Sequence, residues 1–410
     1  MQSSIGGIIS ANVFIILLAY SLFFWLTHKT SFSKGLKAAI GIFILIGTFT
    51  FPVIFFVLMR SSETMTVSVP VFTVTNFLLG CIANLGIIVF LWDIVLLIWF
   101  AIKFVRMGIS LLLKKRITRK RKEISEKIRF CTRRSVVIMI IAFITFIIGY
   151  IQAVGQPDFK SRNVVIGDGP AACKSIRIAH LSDLHMNPLI NEGWLEKIIF
   201  KVNKAKPDLV VITGDFCDGK ARNNKQFIPL LRRFNAPVYF ISGNHEVIWG
   251  VDAWLKAFRE AGIPVLDGLK ATINIRGVKV LLAGIGDSGG GAWTFSPPVY
   301  FDGFLKGESA ADIRILLSHR PEVLPYAARE GFDLVLAGHT HNGQTFPLNI
   351  IAELFTPFPC GFYKDGKTLL FTSPGAGYVG PPLRLFVSKE VTMLDITLSG
   401  RRSDPVKSGN

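Results

Sequence analysis

The sequence predicts a helical membrane region of several spans followed by an α/β layered domain, and three observations carry that expectation. Up to about residue 155 the chain is dominated by long apolar runs, whereas beyond it Gly, Pro, Asp and His return at the density of a soluble domain. In that second part, short β-rich apolar runs alternate with amphipathic helical segments. Strand after strand then ends in a cluster of Asp, Asn or His. A chain of 410 residues with two such unlike parts is expected to comprise a helical region over 1–155, a linker over 156–173, the α/β domain over 174–400 and a flexible tail over 401–410.

The helical region comes first. A bilayer core of roughly 30 Å takes about 20 apolar residues as helix, and Ile5–Thr27, Ala38–Met59, a stretch within Val71–Val105, and Ser135–Val154 each meet that length. A cleaved signal peptide would start basic and hold a single short apolar stretch, whereas Met1–Ser10 is uncharged and several spans follow. The chain carries a formal charge of +18, and the run Lys103–Arg134 alone holds 13 basic residues against Glu123 and Glu126. Between two apolar spans such a run reads as a cytoplasmic loop facing anionic lipid, and no nucleic-acid partner is expected. Lys29, Lys34 and Lys37 mark a second cytoplasmic loop, while Arg60–Ser68 is nearly free of positive charge and is expected outside. Four spans would place the α/β domain on the periplasmic or extracellular side of an inner or plasma membrane; a fifth half-span within Val71–Val105 would reverse it. Asp93, inside the third span, is either functional or simply turned toward the bundle. The five cysteines show no metal-type pairing, and nothing requires a disulfide among Cys173, Cys217 and Cys360.

In the second part, strands are expected at Ile176–Leu181, Leu209–Thr213, Val238–Ser242, Val278–Ala283, Ile313–Leu317, Leu334–Ala337, Thr368–Thr372 and Leu383–Val387. Helices are expected at Glu192–Lys204, Gln226–Phe234, Ala253–Ala261 and Pro321–Arg329, each with apolar residues at three and four spacing. Asp287–Phe304 and the apolar stretch Ile350–Tyr363 read as loops. The second of these, like Trp293 and Phe295, would receive an acyl chain, rest on a bilayer or pack as ordinary core.

The polar clusters are HLSDLH at 180–185, GDFCD at 214–218, GNHE at 243–246, SHRPE at 318–322 and GHTH at 338–341. In open α/β sheets ligands bind beyond the carboxyl ends of the strands, so five such clusters converge on one site. Oxygen and imidazole donors without thiolates suit Mn, Fe or Zn.

The ordered set Asp-x-His, Gly-Asp-x-x-Asp, Gly-Asn-His-Glu, a lone His and Gly-His-x-His resembles the calcineurin-like metallophosphoesterases over about residues 176–390. GHTHNGQ at 338–344, with the N-terminal spans, makes it similar to the bacterial membrane-associated branch, which acts on envelope or lipid-linked phosphoesters. The resemblance implies a two-sheet β-sandwich flanked by helices and two divalent ions. Asp183, His185, Asp215 and His341 would hold one, and Asp215, Asn244, His319 and His339 the other, Asp215 bridging both. His245 would face the scissile phosphate and Asp218 would orient it. Gly219-Lys220, where many relatives have Arg-Gly, and Ser388-Lys389-Glu390, where Pro-Glu is common, are departures that bear on substrate contacts. Arg384 is a candidate for contact with substrate phosphate or a nearby carboxylate, or else a strand-terminal surface arginine.

A metal lowers the pKa of water it binds to about 7, and a pair of ions about 3.5–4 Å apart clamps phosphate oxygens for in-line attack. The expected function is hydrolysis of a phosphoester, phosphodiester or pyrophosphate bond in a phosphorylated small molecule or lipid. A pyrophosphatase of a UDP-diacylglucosamine type in lipid A synthesis is the alternative within that class, and a non-catalytic, metal-stabilised membrane scaffold or sensor the alternative outside it. Nothing in the sequence indicates the oligomeric state.

Overall fold

The computed structural model describes residues 30–42, 80–89, 123–167, 171–288, 301–308 and 310–399, with a few isolated positions elsewhere in the first 105. Most of the first three expected spans, most of the basic run 103–134, Asp93, Trp293, Phe295 and the tail 401–410 lie outside the described residues. The chain divides into two compact units, one comprising residues 1–151 and 380–383 and the other the remainder.

In the first unit the dominant element is the helix Glu123–Val154. Within it Cys131–Val154 is, among the described residues, the one helix long and apolar enough to cross a membrane. Its face toward residues 77–89 carries a polar lock. The Asn84 side chain is buried and donates to Ala142 O (2.6 Å) and Thr145 Oγ1 (2.8 Å), and the Thr145 hydroxyl donates on to Ile141 O (2.8 Å). Beside it Phe146 meets Phe77 edge-on at 4.9 Å, where Gly80 leaves room for the ring.

The second unit is a sandwich of two mixed sheets. One has the order β1-β11-β2-β3-β4, built from β1 (Asp158–Ile166), β2 (Ala171–Leu181), β3 (Leu209–Thr213), β4 (Val238–Ile241) and β11 (Glu390–Ser399). The other has the order β5-β6-β7-β8-β10-β9, built from β5 (Lys270–Ile275), β6 (Val278–Ile285), β7 (Ile313–Ser318), β8 (Leu334–Ala337), β9 (Gly361–Asp365) and β10 (Thr368–Thr372). Strands β2, β3 and β4 run parallel, as do β6, β7, β8 and β10.

Alternation explains the layers. Ile176, Ile178, Leu209 and Val211 from the first sheet pack against Val280, Leu282, Ile313, Ile315 and Leu336 from the second. The intervening residues Ala179, Leu181, Val210 and Ile212 face an outer core made by the helices Glu192–Ala205 and Val251–Glu260 and the 3₁₀ segment Lys225–Arg233. On the far side Leu281, Ala283, Leu316 and Val335 meet Leu324, Ala327, Phe301 and Phe304. A strand buried on both faces has to be apolar throughout, and β3 is buried at all five positions.

Four expectations are corrected. Residues 158–166, read as linker, form the edge strand β1, paired in parallel with β11. Leu383–Val387 is not a strand; only Leu385 makes an isolated bridge, to Thr345. Gln226–Phe234 is a 3₁₀ segment because Pro229 lies inside it. Within the expected loop 350–363, Leu348–Phe355 is a helix and Gly361–Asp365 is β9.

Candidate metal centre

All five polar clusters lie at the carboxyl ends of parallel strands: HLSDLH begins on the last two residues of β2 and SHRPE on the last residue of β7, while GDFCD follows β3, GNHE follows β4 and GHTH follows β8. The chain must turn sharply there to aim side chains back across the strand ends. Asp183, His185, Asp215, His339 and His341 accordingly all have positive φ, between 46° and 73°. Non-glycine residues in that region cost on the order of 1–3 kcal/mol each and persist only where the surroundings over-determine them. The glycines of the motifs answer a different need. A Cβ on Gly214 would stand 2.6 Å from Gly243 Cα, and one on Gly338 would collide with the side chains of Ser182 and Asp183.

The seven expected donors are brought together. His185 Nε2 lies 3.1 Å from His341 Nε2 and 3.5 Å from Asp215 Oδ2, and His341 Nε2 lies 3.6 Å from Asp183 Oδ1. His319 Nε2 lies 3.3 Å from the same Asp215 Oδ2, 3.2 Å from His339 Nδ1 and 2.9 Å from Asn244 Oδ1. Donors held about 2.0–2.1 Å from one tetrahedral ion stand ~3.4 Å from one another, so these separations match two ligand sets sharing one carboxylate oxygen. Burial and the neighbouring His319 and Arg320 hold the His339 pKa well below the ordinary imidazole range, and burial with His185 and Arg384 does the same for His341. Neutral imidazoles keep the lone pair a cation needs; at His319 burial also favours the neutral ring, but the Asp215 carboxylate outweighs it and raises the pKa to about 10, so a cation would have to displace a proton there. The residues present therefore fit divalent ions, and Asp215 belongs to two of the candidate ligand groups. His245 also falls within ligand distance of His185 and Asp215, so its exclusion from the ligand set rests on the resemblance rather than on distance.

Asp218 does more than expected. Its Oδ1 lies 2.8 Å from His245 Nδ1 and also 2.8 Å from His185 Nδ1, so one carboxylate orients a candidate acid and a candidate ligand together. For His245, burial favours the neutral ring, but the carboxylates of Asp215 and Asp218 outweigh it and raise the pKa to about 9. The backbone N–H of His245 donates to Asp215 Oδ1 at 2.8 Å, tying the two loops together.

Arg384 is placed differently. It is fully buried, and its guanidinium donates to Gly377 O (2.7 Å), Pro374 O (2.5 Å) and Ser388 O (2.7 Å), with Nη1 3.4 Å from His341 Nδ1. That is not a surface arginine; its guanidinium is the post on which the loop behind His341 is wound.

Two features were not read from the sequence. Glu246 is fully buried and accepts from the backbone N–H of Asp215 (2.9 Å), Phe216 (2.8 Å) and Gly243 (2.7 Å), joining the loops after β3 and β4. The signal was present in GNHE, whose Glu sits in the first turn of the helix Asn244–Trp249, where it can reach back to free backbone amides. His180, first in HLSDLH, points into the core between the sheets. There it bonds Thr213 Oγ1 (2.8 Å), Thr213 donates to Ser182 Oγ (2.8 Å), and Ser182 donates to Asp183 Oδ2 (2.5 Å).

Residues 176–343 match the calcineurin-like phosphoesterase family, a segment that holds all seven donors with Asp218 and His245 and stops short of Arg384. The chain is 34% identical over 250 residues to an uncharacterized metallophosphoesterase of Campylobacter jejuni, covering 60% of this chain and 64% of that protein. It is 31% identical over 271 residues to a transmembrane protein with metallophosphoesterase domain of Danio rerio, covering 63% and 62% respectively. The chain thus spans less than two thirds of the length of both. Against an uncharacterized metallophosphoesterase of Aquifex aeolicus it is 33% identical over 233 residues, which is 55% of this chain and 86% of that one. Likeness that runs through nearly the whole of this last relative makes this chain a member of the calcineurin-like metallophosphoesterase family.

Proposed function

We propose that the chain is a membrane-anchored, metal-dependent phosphoesterase that hydrolyses a phosphoester, phosphodiester or pyrophosphate bond in a lipid-linked or envelope substrate. The observation that carries this reading is Asp215 Oδ2, set 3.5 Å from His185 Nε2 and 3.3 Å from His319 Nε2, with the His245 ring beside it. Two divalent ions, Mn, Fe or Zn by donor type, would supply Lewis-acid polarisation of the phosphoryl oxygens and acidification of water. The remaining work falls to side chains of this domain. Asp215 offers one carboxylate to both ligand sets and is held in place by the Glu246 carboxylate through its own backbone N–H. His245, whose protonated form the Asp215 and Asp218 carboxylates favour, is placed to deliver a proton to the leaving oxygen. Asp218 holds that ring in orientation and favours its protonated form. The anchor is supported by the apolar helix Cys131–Val154 and by relatives named as transmembrane proteins.

The test is hydrolysis of bis-(p-nitrophenyl) phosphate by the purified full chain with added Mn²⁺, in wild type, Asp215→Ala and His245→Ala. Metal-dependent turnover lost in both variants is the expected result. Bound metal in the wild type without turnover under any divalent ion would favour the scaffold reading.

A further inference from the structure

The helix Leu348–Phe355 has no buried residue, although six of its eight side chains are apolar. Leu354 and Phe355 are 74% and 70% exposed, and Leu348, Ile350 and Ile351 are all exposed as well. Phe346 just before it and Phe386 in the segment bonded to Phe346 are exposed as well. Phe346 N donates to Leu385 O at 2.9 Å, which joins the two segments. Single exposed hydrophobics are ordinary; a cluster of this kind marks an interaction surface. At eight residues the helix is about 12 Å long, too short to span a bilayer and suited to lie in its interface.

Hydrogen bonds and strand register indicate what covers it. The chain enters the second unit at Gln152–Gly155, the last three residues of the apolar helix and the glycine that follows. There Gln152 Oε1 accepts from Phe386 N at 3.2 Å, and the buried Lys389 ammonium donates to Ala153 O (2.6 Å) and to Gly155 O. The point of entry is therefore bonded to the segment that carries Phe386. Next, Asp158 at the start of β1 pairs with Glu390, and β11 in turn runs antiparallel to β2 with Thr392 opposite His180. The beginning of β1 thus lies at the carboxyl end of β2, the end from which Asp183 and His185 project. One edge of the sandwich carries the chain's entry from the candidate span, the candidate ligands and the apolar helix. That helix follows His341 by only seven residues, and its first turn abuts Gly343.

We infer that Leu348–Phe355, with Phe346 and Phe386, is a lipid-docking surface that seats the metal-bearing edge of the domain on the bilayer, so that the phosphoester it takes is borne by a membrane lipid at headgroup depth. The inference rests on the membrane-anchored phosphoesterase reading and narrows its substrate class. The apolar side chains enter the interface, and the site meets the headgroup without the lipid leaving the bilayer.

The experiment is hydroxyl-radical footprinting of the full chain in nanodiscs of phosphatidylcholine and phosphatidylglycerol, at one chain per disc. Bis-(p-nitrophenyl) phosphate hydrolysis is measured on the same preparation. Oxidation of Leu354, Phe355 and Phe386 is compared, after correction for intrinsic reactivity, with that of Val165. Val165 is 65% exposed and lies seven residues along β1 from Asp158, about 23 Å from the lipid-facing edge. The expected result is protection of the three residues by about five-fold or more relative to Val165. Equal oxidation overturns the docking surface, and protection that appears only with two chains per disc overturns it in favour of a second copy. A chain that does not enter the discs overturns both the surface and the anchor. Protection without hydrolysis leaves the surface standing and counts against the phosphoesterase reading.

Discussion

Asp218 and His245 share a contact but differ in what depends on them. Because the Asp218 carboxylate lies 2.8 Å from both His185 Nδ1 and His245 Nδ1, Asp218→Asn disturbs a ligand and an acid together. The expected outcome is a loss of roughly 10–100-fold in metal affinity alongside a comparable fall in kcat/KM, read by metal titration and steady-state kinetics. His245→Asn, by contrast, is expected to lower kcat by about 100–10,000-fold while metal affinity holds. If the histidine variant released metal as readily as Asp218→Asn, His245 would be a ligand. Glu246→Gln retains one acceptor for three backbone donors and places an amide among them. It is expected to cost about 1–3 kcal/mol, read as a lowered Tm of the full chain. The five polar clusters were legible because turns at strand ends keep each within a short motif, and the resemblance those motifs carry implied the seven donors. Arg384 and Glu246 were not, because their roles are fixed by which backbone groups fold around them, and no local pattern encodes that.

Elements were legible where burial on both faces forces an unbroken apolar run. Leu209–Thr213, Leu334–Ala337 and Thr368–Thr372 were read at the observed bounds. Strand β1 hid because one face is exposed at Ser161, Asn163 and Val165, while the opposite face carries Lys160 and Arg162, paired with the buried Glu390, beside the buried Val164. The helix Leu348–Phe355 hid because it is only eight residues long, so the apolar residues at Leu348, Ile351, Ala352 and Phe355 cover just two turns of a helical stripe. At β2 the same alternation that sends Leu181 to the outer core sends His180 between the sheets, where burial lowers its pKa from 6.5 to about 3. Between those values the unfolded chain binds a proton that the folded chain does not, so stability falls as pH drops from about 6.5 toward 3. At pH 5 the loss from this group is about 2 kcal/mol relative to neutral pH. Thermal unfolding of wild type and His180→Asn at pH 7.5 and pH 5 checks this. The gap between their midpoints should shift in favour of the variant at the lower pH, and a pH-independent gap would show that His180 is not held neutral.

At the scale of the molecule, the division into an apolar region and an α/β domain follows from composition, and the sandwich with flanking helices follows from alternation within strands. The number of spans does not follow from what is described, since one helix there is long and apolar enough. The two-sheet core stands without metal contacts, whereas the edge beyond β2, β3, β4, β7 and β8 gathers buried Asp183, Asp215, His185, His319 and His341 with half-buried His339 into one cluster. Removing divalent ions with a chelator is therefore expected to lower the Tm of the full chain and abolish hydrolysis, with Mn²⁺ restoring both. A chelated chain with unchanged Tm would mean that the cluster is held by its own hydrogen bonds.

The shared carboxylate oxygen of Asp215 is where the structure commits itself most. Elemental analysis of the purified, Mn²⁺-loaded full chain is expected to find two divalent ions per wild-type chain and no more than one in Asp215→Ala, with hydrolysis lost. Two ions retained by Asp215→Ala with turnover intact, or a wild type that binds none, would contradict a bridged two-metal centre.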